Sequence, residues 1–195
     1  MANWIHISQP VLQLILRPLP ELTQRPFVQR QVRLEFTLQG NIQMSKKIAL
    51  AADHAGFEEK EKIKKTLDEI GVQYDDLGTD SEESVDYPDY ARQVAEAVSR
   101  GDYEQGLLVC GSGTGMAITA NKVRGVRAAV AWNEEIARLA RQHNNANVLS
   151  IGARVTPAEE IPGIVKAWFD ADFEGGRHER RVAKIGDVER DIKLN

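Results

Sequence analysis

The chain has 195 residues, 42% apolar and 28% charged, with a formal net charge of −4. That balance argues against a general nucleic-acid binder, which carries a basic patch or stripe, and a single cysteine rules out an intramolecular disulfide. No apolar run approaches the ~20 residues of a membrane-spanning helix, so no membrane is expected as a partner.

Residues 1–43 differ from everything after them. They hold Arg17, Arg25, Arg30 and Arg33, no lysine or aspartate, and four scattered prolines. Such acid-poor, arginine-bearing ends include organelle-targeting segments. The alternative reading is an extension outside the fold, because Met44-Ser45-Lys46-Lys47 runs straight into a strand like an ordinary protein start. Residues 44–195 are taken as one domain with a helical tail.

From Ile48 the pattern is regular. Ile48–Ala52 is a short apolar strand ending in Asp53-His54-Ala55-Gly56. A helix over 57–70 carries Ile63, Leu67 and Ile70 on one stripe, and Gly71 closes it. Val72–Leu77 reads as a second strand. Pro88 opens a helix with Ala91, Val94, Ala95 and Val98 on one face, stopping near Gly101. Gly106–Cys110 is the third strand. Arg127–Ala131 is the fourth, and Asn133 is placed to cap the helix after it. Asn147–Ile151 is the fifth, and a long helix follows Thr156-Pro157. Strands alternating with helices specify an α/β fold: a three-layer αβα sandwich with a five-stranded, mostly parallel, Rossmann-like sheet. Strand order is not legible in this pattern.

Ligands of open parallel sheets bind beyond the carboxyl ends of the strands. The third strand exits through Cys110-Gly111-Ser112-Gly113-Thr114-Gly115. A tight glycine turn leading into a helix start leaves backbone N–H groups for an anion, and it sets the only thiol where the helix dipole favours thiolate. Cys110 is therefore a candidate base or nucleophile, and Gly111 to Gly115 a cradle for an oxyanion. The competing readings are a turn that merely reverses the chain and a cysteine acting as a small buried hydrophobe. Asp53 and His54 leave the first strand, and Arg154 the fifth. The first two suit sugar hydroxyls or a phosphate, although Asp53 could simply cap a helix.

His143 sits seven residues after Ile136 and continues that helix's buried stripe, either as a satisfied core histidine or as a proton donor and acceptor. Arg177 and Arg181, four apart in a charged run from Glu174, would share one helix face and could grip a phosphate together. The spacing of Val182, Ile185, Val188 and Ile192 suits packing against a partner. Four histidines and one thiol show none of the short zinc-ligand spacings, so no metal is expected.

Taken together, Ala52-Asp53-His54-Ala55-Gly56, Asp86-Tyr87-Pro88, the Cys110–Gly115 loop, Arg141-Gln142-His143-Asn144, Gly152-Ala153-Arg154-Val155 and Gly175-Gly176-Arg177-His178 resemble the B-type ribose-5-phosphate isomerases and the related galactose-6-phosphate isomerase subunits. Residues 1–43 have no counterpart there. The resemblance implies a cofactor-free aldose–ketose isomerase working through an enediolate. In that reading Cys110 is the base, His143 assists ring opening, and Ser112 with the backbone of Gly111, Gly113, Thr114 and Gly115 stabilises the negative oxygen. Asp53, Tyr87 and Asn144 would position hydroxyls, and His54, Arg154, Arg177 and Arg181 would hold the phosphate. It further implies a homodimer with shared sites, or a tetramer built from it, while the single free thiol fits a cytoplasmic setting. Some members place a glutamate where Met116 stands, and Cys110 indicates the thiol branch. Two alternatives stay open: a six-carbon sugar phosphate such as allose or galactose 6-phosphate, and a non-catalytic phosphosugar or nucleotide sensor.

Overall fold

The computed structural model describes residues 47–191. The expectations for residues 1–43 and for Ile192 lie outside them. In chain order the elements are β1 (Ile48–Ala52), α1 (Phe57–Glu69), β2 (Tyr74–Asp76), α2 (Tyr87–Arg100), β3 (Gly106–Cys110), α3 (Thr114–Ala120), β4 (Ala128–Val130), α4 (Glu134–Asn144), β5 (Val148–Gly152), α5 (Ile161–Phe169) and α6 (Arg177–Asp191).

All five strands are parallel, in the order β2-β1-β3-β5-β4. The three inner strands are buried at every position, which is why they read as continuous apolar runs, broken only by Ser150, rather than alternating ones. β2 and β4 are shorter than the expected Val72–Leu77 and Arg127–Ala131, three residues each, because each lies at an edge and pairs on one side only. The side chains of β1, β3 and β5 divide between two layers. Ile48, Leu50, Leu107, Val109, Leu149 and Ile151 pack with α1, α4 and α5 around the fully buried Trp168. Ala49, Ala51, Leu108, Cys110 and Val148 pack with α2 and α3.

The helix ends follow their sequence signals. Asn133 caps α4, its side-chain oxygen accepting the Ile136 N–H at 2.9 Å, and Pro88 lies in the first turn of α2. The helix after Thr156-Pro157 is only nine residues, starting at Ile161. On α4 the interior stripe is Ala137, Ala140 and Arg141, so Arg141 rather than His143 turns inward. The Arg141 guanidinium donates to the Ala146 carbonyl at 2.6 Å and lies 5.5 Å from the centre of the Trp168 ring.

One ion cluster ties α1 to the β2 edge. Lys60 is fully buried; its ammonium donates to both Asp76 oxygens (2.7 and 2.6 Å) and to the Thr79 carbonyl at 2.6 Å. Burial of Asp76 works to raise its pKa. Hydrogen bonds from Lys60, Lys64 and the Gly78 N–H outweigh that effect and hold the carboxyl below its usual range.

Candidate active site

After β1 the chain runs through β2 on one side, and β3 then returns to pair on the other side of β1. The strand order therefore reverses between β1 and β3, the kind of switch point beyond whose carboxyl ends open parallel sheets bind ligands in a crevice. Asp53 and His54 leave one strand there, and Cys110 ends the other. The two exits are locked together: the Asp53 N–H donates to the Val109 carbonyl at 3.2 Å. A Cβ on Gly56 would stand 2.4 Å from that carbonyl oxygen, so only glycine lets the β1 exit approach so closely.

Cys110 is 4% exposed. Its sulfur accepts a hydrogen bond from the Gly113 N–H at 3.2 Å, a contact that strengthens when the sulfur carries charge. Gly113 itself has φ +75°, a left-handed conformation that turns its amide back over the thiol. Its carbonyl accepts from Ser150 Oγ at 2.6 Å, and both groups are buried. Ser150 supports the glycine loop and was not singled out by the motifs. Its signal was present as one hydroxyl in the middle of the apolar strand Val-Leu-Ser-Ile-Gly, since a buried polar group needs a partner. The Thr114 N–H donates to Ser112 Oγ at 3.4 Å, and Ser112 lies exposed at the loop's outer side.

Further groups border the loop. The Arg154 side chain runs over Gly111, its Cδ 3.5 Å from where a Cβ would sit, and the Arg154 N–H donates to the Gly111 carbonyl at 3.0 Å. The Tyr87 ring lies against Gly115, 2.8 Å from the corresponding point. His54 Nδ1 is 3.2 Å from both the N–H and the carbonyl of Val85, which fixes its ring against the loop before α2. Asp53 is buried, and its Oδ1 accepts the Gly56 N–H at 3.0 Å, so the turn-capping role and the site position coexist. Met116 is fully buried in the core beside the thiol.

His143, Asn144, Arg177 and Arg181 are not among these neighbours. α4 runs back from the carboxyl end of the sheet and finishes at Asn144, before β5 begins. The Asn147 carbonyl accepts the Gly106 N–H, which sets this corner level with the first residue of β3. Cys110 lies four residues further on, roughly 13 Å at about 3.3 Å per residue. α4 also covers the sheet face opposite the one from which Cys110 points. Within one chain, then, the candidate residues form two groups at opposite ends of the sheet.

The second group has its own geometry. The His143 and His178 rings stack with centroids 4.2 Å apart and planes 7° from parallel. Each Nε2 lies 3.8 Å from the same Glu174 oxygen. Arg177 Nε donates to His178 Nε2 at 3.2 Å. Burial first, then the neighbouring His143 and Arg177, pushes the His178 pKa down. Among the described residues this is the one trio whose donor atoms, within 4.8 Å of one another, could reach a common metal ion. The parallel rings direct their nitrogen lone pairs alongside each other rather than to one point, and Arg177 already occupies one of those nitrogens. The arrangement therefore fits proton handling better than metal coordination. Arg177 and Arg181 stand exposed, one turn apart, on α6.

Among the described residues no helix is long and apolar enough to cross a membrane. Residues 48–185 match the ribose/galactose isomerase family. The chain is 49% identical over 144 residues to ribose-5-phosphate isomerase B of Escherichia coli, covering 74% of this chain and 97% of that one. It superposes on the Clostridium thermocellum ribose-5-phosphate isomerase B with a TM-score of 0.74 at 46% identity, covering 75% and 99% of the two chains. The Mycoplasma genitalium ribose-5-phosphate isomerase B, solved with bound ribulose-5-phosphate, gives a TM-score of 0.71 at 42% identity, covering 74% and 97%. A sheet whose crevice holds a thiol under a glycine loop, matched to these enzymes along nearly their whole length, makes the assignment plain: this chain belongs to the ribose/galactose isomerase family and is a sugar-phosphate isomerase.

Proposed function

We propose that the chain interconverts ribose 5-phosphate and ribulose 5-phosphate through an enediolate, with Cys110 as the base. The observation that carries this reading is the sulfur at the β1/β3 crevice, lying under the Gly113 N–H and bordered by Arg154. In the aldose-to-ketose direction the thiolate removes the proton from C2 and returns it to C1, while a proton moves from O2 to O1. The carbon acid is weak, so the negative oxygen must be held more firmly than the starting carbonyl. The amides of Gly111 to Gly115 and the Ser112 hydroxyl serve that purpose, and losing one such donor typically costs about 100–1,000-fold in rate. Asp53 and Tyr87 position hydroxyls, and His54 and Arg154 bind phosphate oxygens. No cofactor enters this chemistry, which is proton transfer throughout.

His143 assists ring opening, and Asn144, Arg177 and Arg181 complete the binding of substrate. Because these four lie at the far end of the sheet, they serve the crevice of a second copy. The working unit is a homodimer with shared sites, and a tetramer would be two such dimers. Exposed Trp132 (56%) and Val155 (67%), which follow β4 and β5 at the carboxyl end of the sheet, support a partner covering that end. The lone free thiol fits a cytoplasmic setting. Residues 44–195 act as the isomerase domain, and residues 1–43 are an extension outside it.

Incubating the purified chain with ribose 5-phosphate and following ribulose 5-phosphate tests the activity directly. Parallel reactions with allose and galactose 6-phosphates test the six-carbon alternative, which the family's own description keeps in view. Faster turnover of either hexose phosphate would displace the five-carbon assignment.

A further inference from the structure

His178 and Glu174 have no role in the chemistry above, yet they surround one of its residues. His178 is the only side chain of α6 that is buried. It lies flat against His143, 4.2 Å between ring centres. Its Nε2 accepts the Arg177 Nε–H, which places its own proton on Nδ1 and leaves the ring neutral. Glu174 follows α5, and its backbone N–H is tied to α4 through the Gln142 carbonyl at 3.1 Å. One of its carboxylate oxygens stands 3.8 Å from the Nε2 of each ring.

We propose that His178 and Glu174 are positioning residues for His143: the buried neutral ring sets the plane of the working imidazole, and the carboxylate steadies the proton that it carries. The charged groups facing the pair are Glu174 from the α5–α6 connection and Arg177 and Arg181 from α6. On α4 itself Arg141 is turned away, onto the Ala146 carbonyl. With two cations already close, a second charged imidazole is disfavoured, and desolvation of His178 works the same way. The ring that exchanges a proton with substrate is therefore the half-exposed His143, and not its buried neighbour. The catalytic part of this inference rests on the isomerase reading, whereas the division of the proton between the rings does not.

Nitrogen NMR of the imidazoles in the full chain, followed through a pH titration, tests the division. His178 should keep its Nδ1–H neutral form across the range in which His143 gains its proton. Kinetics then test the role. Glu174→Gln and His178→Ala should lower kcat by at least about tenfold with KM little changed, and His178→Phe, which keeps a flat ring beneath His143, should retain more activity than His178→Ala. Joint titration of the two rings overturns the proposal, as does a loss confined to KM or wild-type turnover in both variants. A chain inactive on every sugar phosphate would sink the isomerase reading while the titration still decides how the proton is shared.

Discussion

The two ends of this sheet hold their site residues by different means. At the carboxyl end the working atoms are mostly backbone: a buried thiol, amides turned by glycine, and two strand exits joined by main-chain hydrogen bonds. At the amino end they are side chains on helix ends, partly exposed and arranged by ring stacking and by one shared carboxylate. The first is rigid because a packed core stands behind it, as an oxyanion site requires. The second is a projecting surface, suited to enter another molecule's crevice. On the reading proposed above, each chain lends its second end to the crevice of a partner copy.

The sharpest way to break that comparison is to disable each end separately. Cys110→Ala should lower turnover by more than about 1,000-fold while leaving the fold and phosphate binding intact, since general bases contribute about 10²–10⁴. His143→Ala should be impaired by itself. When the two variants are mixed under conditions that exchange subunits, roughly a quarter of wild-type activity should return, because half the dimers are mixed and each mixed dimer has one intact site. Absence of any recovery would mean that no site joins Cys110 of one chain to His143 of another, and would undo the shared arrangement.

Stability should also distinguish regions. Asp76→Ala leaves the Lys60 ammonium buried without its carboxylate, and removing one partner of such a pair typically costs about 3–5 kcal/mol. Urea denaturation reads this directly, and a change below about 1 kcal/mol would mean that Lys60 finds other solvation. Ser150→Ala should cost less, about 0.5–1.5 kcal/mol for one lost hydrogen bond, since the Gly113 carbonyl still accepts the Ala117 N–H, but should also lower kcat because it loosens the loop over the thiol. Equal turnover in Ser150→Ala would show that the loop keeps its shape unaided. The smallest effect is on acid stability. The folded Asp76 carboxyl lies below its unfolded value, so its contribution is present above the ordinary carboxylate range and is lost as pH falls through the folded value. Asp76→Asn should accordingly flatten the acid limb of a stability–pH curve below about pH 4.

Much of the fold was legible residue by residue. Asn133 as a cap, Gly71 and Gly101 as helix ends, Pro88 at a helix start and the three buried strands are set by neighbours a few positions away, and local chemistry writes them into the chain. The edge strands came out shorter than the expected Val72–Leu77 and Arg127–Ala131, because strand length at an edge depends on a single neighbour. The inward stripe of α4 went to Arg141 because its guanidinium found both a carbonyl and the Trp168 face. Apolar periodicity cannot anticipate such a partner.

The site divides in the same way. Cys110, its glycine loop, and the Asp53 and Arg154 exits could be recognised from sequence because a strand followed by glycines creates an anion site from local backbone alone. That the chain is α/β, and that its chemistry belongs at strand ends, was likewise determined by the order of residues. Only the tertiary structure decided that β1 and β3 are neighbours, that Ser150 holds Gly113, that His178 lies under His143, and that His143 faces away from the thiol. Those relations join residues 35 (His143 and His178) or 37 (Gly113 and Ser150) positions apart or more, or compare opposite ends of one sheet. They depend on strand order and on which face each helix covers, and packing of the whole domain chooses these where no local pattern can.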